Sequence, residues 1–459
     1  MSIDQHVPVT VSVNNAGIAK QGFGLTAILT YKTVFPELSR AYAKVSDAVA
    51  DGFATDSPEG RALARILGQS PHPVQVKMIR GTRIPTQRYE LGVLDVVEGF
   101  TYKINVKGEG FSDTLLSYTA LEGDDEDDIV AALVTQAQAV EDRNYTASAV
   151  VDASGPDTLR FLGNAPGDWF SLQVFDTLML SIVQNHDDPG IADDLADVML
   201  YDPDWYYLET NFNSSAMVLE TADFIESAGF KAYIVDLVDS EIENSAPGGD
   251  DIASQLDALG YKRTLYAYHR KPNEMMAAGW EGRISPLAVG TWDAAYKPIT
   301  GVTADSFTAT QMNNMDGKKC SYYKAEAGRS FTWNGAIANT DYGFFDNTVS
   351  LDFVVDDIQK SVLAARLALN KVAYTDEDIQ GVIKGAVEGA VDRAKSEAHK
   401  IIALGMPGDE DDPEPTVFFP RVKDIDPGAR ALRTIPDGTV SFRLQGAVNT
   451  VPINLTVTF

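Results

Sequence analysis

The clearest pattern in this chain is at its two ends. Val7, Val9, Val11 and Val13 alternate with Pro8, Thr10 and Ser12, and Val451, Ile453, Leu455, Val457 and Phe459 alternate with Pro452, Asn454, Thr456 and Thr458. Period-two alternation of β-branched residues predicts a half-buried strand at each end. The last nine residues, fully extended, reach roughly 30 Å at about 3.3 Å each. A strand without a hairpin turn beside it needs a partner from elsewhere. Either each end joins its own domain's sheet, or it adds a strand to a neighbouring molecule. Pro452 fits the start or edge of a strand.

Between the ends the period changes repeatedly. Residues 36–68 read as helical, broken near Asp56-Ser57-Pro58, and QSPHPVQVKMIRG then turns through two prolines into a strand. Residues 91–175 predict a small inserted α/β domain: a strand in FTYKINVKGEGF, a helix in DDIVAALVTQAQAV, and a strand pair in TASAVVDASGPDTLRFLG. From 176 to 300, WYYLET, SAMVLETADFIESAG, KAYIVDLV, DIASQLDALG and RTLYAYH give a β-α-β-α-β order, which predicts a parallel sheet with helices packed on it. Residues 312–350 read as short strands joined by Asn/Gly turns. Two helices follow. One carries a stripe of Leu351, Val354, Val355, Ile358, Val362, Ala365 and Leu369. The other opens at Thr375 with Asp378 three residues on, carries Ile379, Ile383, Val387, Ala390, Ala394, Ala398 and Ile401, and is expected to end at Gly405. The acidic run 408–415 reads as a solvated linker. The fold class expected is mixed α/β and multidomain: arm 1–21, a helical segment and strand 22–90, an inserted outer α/β domain 91–175, a middle domain 176–345, an inner domain 346–447 and an arm 448–459.

Length and composition agree with two to four soluble domains. The chain has 459 residues, 44% hydrophobic and 22% charged. No apolar run approaches the roughly 20 residues of a bilayer-spanning helix. MSIDQHVPVT has neither the basic nor the apolar region of a secretory signal, so none is expected. The net charge of −29 argues against nucleic-acid and anionic-membrane partners and suits a protein kept soluble before it assembles. The single cysteine, Cys320, and five scattered histidines supply neither a disulfide nor a zinc ligand set.

Three candidate sites can be weighed on spacing. Gly22-Phe23-Gly24-Leu25-Thr26-Ala27 fits G-x-G-x-x-A. A dinucleotide cradle needs the first glycine directly after a buried parallel strand and an acid about 20 residues later on the next strand. Here NNAGIAKQ intervenes and the acid falls at Glu37, beside Pro36, so Gly22 and Gly24 are expected to turn the chain from arm to body. The acids 124–128 lack the ligand alternation of a calcium loop and sit where a helix begins. Asp202, Asp204, Glu209 and Asp236 fall at strand ends, where solvated termini are expected. Trp205, Tyr206 and Tyr207 are expected to divide between core and an inter-domain surface. No nucleophile, P-loop or metalloprotease motif occurs, so no catalytic residue, cofactor or metal is expected.

The order of these segments resembles the contractile-tail sheath proteins of myovirus-type bacteriophages. The matching stretches are GFGLTAIL (22–29), RAYAKVSDAVADGFATDSPEGRALARILGQSPHPVQV (40–76), whose Q-S-P-x-P before a strand is its most specific piece, and the helical region 350–405 followed by a terminal strand. The resemblance implies a non-enzymatic virion subunit, assembled in the host cytoplasm. Such subunits stack as hexameric rings around a tail tube protein, between baseplate and tail terminator proteins. Terminal arms donate strands to neighbouring subunits, with Val7, Val9, Val11, Val13, Val451, Ile453, Leu455, Val457 and Phe459 as the arm residues here. Gly17, Gly22, Gly24 and Gly446 would be the hinges at the arm roots. Lys360, Arg366, Lys371 and Lys384 are cations in an acidic chain and are expected to face the tube. The alternatives are the sheath of a related contractile injection particle and an α/β nucleotide-binding enzyme.

Overall fold

The computed structural model describes residues 22–450, apart from 109, 152–154, 187–189, 212 and 437. The protein is mixed α/β and multidomain. It divides into a larger body, Gly22–Leu351 with the segment from Gly446, and a smaller body, Asp352–Gln445. The N-terminal arm 1–21 and residues 451–459 of the C-terminal arm lie outside the described residues.

The larger body begins with β1 (Thr26–Thr30), β2 (Ser39–Tyr42), α1 (Val45–Asp51), α2 (Pro58–Leu67) and β3 (Val76–Arg80). β1 runs parallel to β3, and β2 pairs antiparallel with β3 from Ser39↔Ile79 to Tyr42↔Val76. Residues 39–42, expected within a helix, are therefore an edge strand: a tertiary partner overrides their local helical preference. Helix α2 starts as its sequence predicts, with Pro58 at the first position and the Ser57 hydroxyl accepting from the Gly60 amide at 3.1 Å.

The chain then leaves the main sheet for β4 (Gln87–Val93), β5 (Thr101–Gly108), β6 (Phe111–Thr119), α3 (Glu126–Gln138), β7 (Tyr145–Val150), β8 (Thr158–Gly163), β9 (Phe170–Val174) and β10 (Leu180–His186). Two antiparallel sheets result, in the orders β10-β4-β8-β7 and β6-β5-β9. Alternate residues of β4 and β5 are buried, as a sheet with one wet face requires. Those residues share a core with Ile129 and Leu133 of α3, around Tyr89, Tyr102, Tyr145, Phe161 and Phe170. The acids at 124–128 open α3, where Asp125 and Asp128 form a capping box.

The main sheet resumes through α4 (Ile191–Tyr201), β11 (Tyr207–Glu209), α5 (Ser215–Ala228), β12 (Ala232–Leu237), α6 (Glu241–Asn244), α7 (Ile252–Leu259), β13 (Thr264–Tyr268), α8 (Met276–Ile284), α9 (Ala309–Gly317), β14 (Ser321–Glu326) and β15 (Arg329–Trp333). Its order is β15-β14-β13-β12-β11-β1-β3-β2, parallel from β14 to β3 and antiparallel at both edges. Every residue of β1, β11, β12 and β13 is buried, as strands covered on both faces require. Trp205, Tyr206 and Tyr207 are all fully buried. Residues 312–317, expected as turn and strand, belong to α9. Thr308 and Gln311 close a capping box and Met315 is fully buried.

The boundary between the bodies falls inside α10 (Phe345–Leu367). In the smaller body, residues 377–384 wind as a π-helix that continues into α11 (Gly385–Lys395), followed by β16 (Thr416–Phe418), α12 (Pro427–Ala431) and β17 (Thr439–Ser441). The Thr375 hydroxyl accepts from the Asp378 amide at 3.1 Å. Ile379, Ile383, Val387, Ala390 and Ala394 form a buried stripe, and Ile401, Ile402 and Val354 are buried as well. The helix stops at Lys395, ten residues before Gly405, because the chain turns extended at Ser396 to bury Ile401 and Ile402 beside Leu444. Of the stripe expected on α10, Val354 is buried, whereas Val355 and Leu369 are exposed.

Candidate assembly site

The glycine motif lies at the wrong end of its strand for a nucleotide. Gly22 and Gly24 form a turn closed by the Leu25 amide on the Gly22 carbonyl (2.8 Å), and this turn opens β1 from its amino end. Phosphate cradles sit at the carboxyl ends of parallel strands, at the point where the order reverses. In this sheet that point lies between β1 and β11, where side chains bond to the end of β1. The Asn211 side chain donates to the Leu29 carbonyl (3.0 Å), and the Thr30 hydroxyl donates to Glu59 (2.8 Å). Neither Gly22 nor Gly24 has a positive φ. Space is tight at both: a Cβ on Gly22 would meet the Leu25 and Asp204 side chains at 2.7 and 2.8 Å, and one on Gly24 the Ser285 carbonyl at 3.0 Å.

The four strand-end acids separate into two environments. Asp202 and Asp204 precede β11. Asp202 accepts from the Lys77 ammonium and the Ser39 hydroxyl at 2.8 and 2.7 Å. Glu209 and Asp236, expected to be solvated, are buried at 1% and 4% exposure. Sequence reading missed a third carboxylate beside them, Glu281 of α8, at 0%. The signal for it was a lone acid between Trp280 and Gly282 in an apolar helix. Burial, reinforced by the Glu281 and Asp236 carboxylates, pushes Glu209 well above the usual carboxylate range. Burial likewise raises Glu281, and Asp236 to about 6. Among the described residues, no group of three His, Cys, Asp or Glu side chains is arranged to hold a metal ion. Nor is any helix among them long and apolar enough to cross a membrane.

The smaller body offers a different kind of site. β16 and β17 pair antiparallel, Thr416↔Ser441 to Phe418↔Thr439, as a two-stranded sheet. Among the described residues, neither strand has a ladder partner on its outer edge. The pair is held to the helix beneath it by Gln380, which donates to the Phe419 and Pro420 carbonyls at 3.0 and 3.2 Å. Asp376 adds a second tie, accepting from the Val422 amide at 2.7 Å. A groove of about 350 Å³ runs beside β16, lined by Gln380, Lys384, Phe418, Arg421 and Lys423 among others. Phe418 is 58% exposed. After β17 the chain pairs with residues 401–403, through Ala403 on the Arg443 carbonyl (2.9 Å) and Gln445 on the Ile401 carbonyl (2.8 Å).

The expected site residues fall as follows. Val7, Val9, Val11, Val13 and Gly17, and Val451, Ile453, Leu455, Val457 and Phe459, lie outside the described residues. Gly446 is left-handed at φ 64°, with nothing within 4 Å of where a Cβ would stand. Just beyond it, in the larger body, the Tyr296 hydroxyl donates to the Asn449 carbonyl at 2.5 Å. Lys360 is paired with Asp356 (2.7 Å) and Lys384 with Glu388 (3.2 Å), each on its own helix, whereas Arg366 and Lys371 are exposed.

No protein-family model matches the chain, and no curated protein does. Among solved structures it is similar to a sheath tail protein of Desulfitobacterium hafniense. The two share 10% identity over 89% of this chain and 93% of that one, with a TM-score of 0.45. So distant a likeness carries no functional argument.

Proposed function

We propose that this chain is the structural subunit of a contractile tail sheath of a myovirus-type phage, without catalytic activity. It polymerises as stacked hexameric rings around a tail tube, between baseplate and terminator proteins, and contracts to drive the tube into the host envelope. The observation that carries the reading is a complementarity. The sequence alternates apolar and polar residues at each end, a pattern that predicts a strand, and the smaller body holds a two-stranded sheet with unpartnered outer edges among the described residues. Main-chain ladder bonds do not depend on side-chain identity, so a donated strand can stay paired while its root turns. Gly446 supplies such a root. The tube-facing role is assigned to Lys360, Arg366, Lys371 and Lys384; the partly exposed pairs that Lys360 and Lys384 make on their own helices do not remove them from it.

The test begins with electron microscopy of concentrated protein, in which hollow striated tubes are expected. A chain ending at Thr450 keeps the Asn449 tie to Tyr296 and is expected to remain a folded monomer. A peptide of residues 451–459 should bind that truncated chain saturably. Normal tubes from the truncation would overturn the proposal.

A further inference from the structure

Glu209 closes β11, Asp236 lies near the end of β12, and Glu281 is in the middle of α8, which packs on both strands. Leu208 pairs with Tyr233, so Glu209 lies beside Ile234 and shares a sheet face with Asp236. Asp236 Oδ2 accepts from the Ala277 amide at 2.9 Å. Its Oδ1, Glu209 Oε2 and both Glu281 oxygens have no hydrogen-bond partner among the described residues. Three dry carboxylates in one place cannot all be ionised, since each desolvated charge is costly and each neighbour of like sign adds to the cost.

The cations nearest the trio are held elsewhere. Arg65 of α2 donates to the carbonyls of Glu274 (2.7 Å) and Thr300 (3.0 Å). His269, just after β13, engages Asp305 (2.6 Å) and Glu274 (3.4 Å). The Tyr233 hydroxyl is hydrogen-bonded to Thr210 at 2.7 Å. On its other side α8 lies close against α2, where a Cβ on Gly282 would stand 2.5 Å from the Ile66 carbonyl. A shift of α8 would therefore be felt by α2.

We propose that Glu209, Asp236 and Glu281 act as a proton-held clamp: protons on the trio keep α8 seated on the parallel sheet, and their loss releases it. The sign follows from burial. The seated state binds more protons than the released one, so seating is firm at low pH and weakens as pH rises. The weakening starts above the ordinary carboxylate range, passes about 6 for Asp236 and continues beyond it for the two glutamates.

Hydrogen exchange of the full chain, read on peptides covering 276–284 and corrected for intrinsic exchange rates, tests the clamp. From about pH 5 to about pH 8 the opening equilibrium should rise at least about tenfold, because each proton lost on opening changes it tenfold per pH unit. Glu281→Gln keeps the shape of the protonated acid and removes one of the three linked protons, so the rise between about pH 5 and about pH 8 should shrink by about tenfold or more. Should Glu281→Gln fail to fold, Glu209→Gln gives the same reading. The infrared spectrum at neutral pH should show protonated-carboxyl absorption that is weaker in the Gln variant. An unchanged pH response in the folded variant, or no such absorption in the parent, overturns the clamp.

Discussion

The buried ion pair between Lys318 and Asp251 makes a demanding prediction. Both side chains are wholly inaccessible, with Nζ 2.9 Å from the carboxylate. The ammonium also donates to the Glu241 and Ile242 carbonyls (3.1 and 3.0 Å) and to the Ser245 hydroxyl (3.0 Å). The carboxylate caps α7, accepting from the Ser254 amide at 3.1 Å and its hydroxyl at 2.7 Å. In Asp251→Asn the amide oxygen can still cap, but the ammonium loses its counter-charge in a dry site. Breaking one side of such a pair costs about 3–5 kcal/mol. For a body of about 330 residues the unfolding entropy is roughly 0.7 kcal/mol/K, so its transition should fall by about 4–7 °C in calorimetry. Lys318→Met should cost a similar amount, and the double variant well under the sum, with a coupling of about 2 kcal/mol or more. Additivity within about 0.5 kcal/mol would refute the argument, because it would mean that neither charge senses the loss of the other.

Two further outcomes are expected. Gly60→Ala would place a Cβ 2.2 Å from the Ala54 carbonyl at the start of α2 and should destabilise by about 1–3 kcal/mol in denaturant titration; Gly381→Ala meets nothing within 4 Å and should be neutral or stabilising by up to about 1 kcal/mol. Burial alone would lower His269, but its bonds to Asp305 and Glu274 outweigh burial and raise it to about 9, while Glu274 is held down to about 2. The His269 contribution is therefore fully present below about pH 6.5 and lost as pH rises through about 9; His269→Gln should remove that decline and cost roughly 2–3 kcal/mol at pH 6.

Much of the larger body was legible because its signals are local. KAYIVDLV and RTLYAYH carry few polar residues, and a strand covered on both faces needs no others. Asp125 and Asp128 open α3 through a capping box that acts within three residues. The misread elements depend on distant partners. Residues 39–42 are a strand because β3 lies beside them, and the second helix stops at Lys395 because Ile401 and Ile402 pack beside Leu444 instead of extending it. The groove residues Phe418, Arg421 and Lys423 carried no periodic signal, since a three-residue strand followed by irregular chain has no period to detect.

The sequence alone determined the alternating ends, the order of strands and helices in the middle of the chain, and the absence of a ligand set built on cysteine or clustered histidine. Those follow from residue type and spacing, which the chain carries wherever it goes. Only the tertiary structure decided that the Gly22 turn leads into β1 at its amino end, and that Glu209 and Asp236 are dry under α8. Whether a carboxylate is solvated depends on what packs over it, and the covering helix here comes from forty or more residues further along the chain.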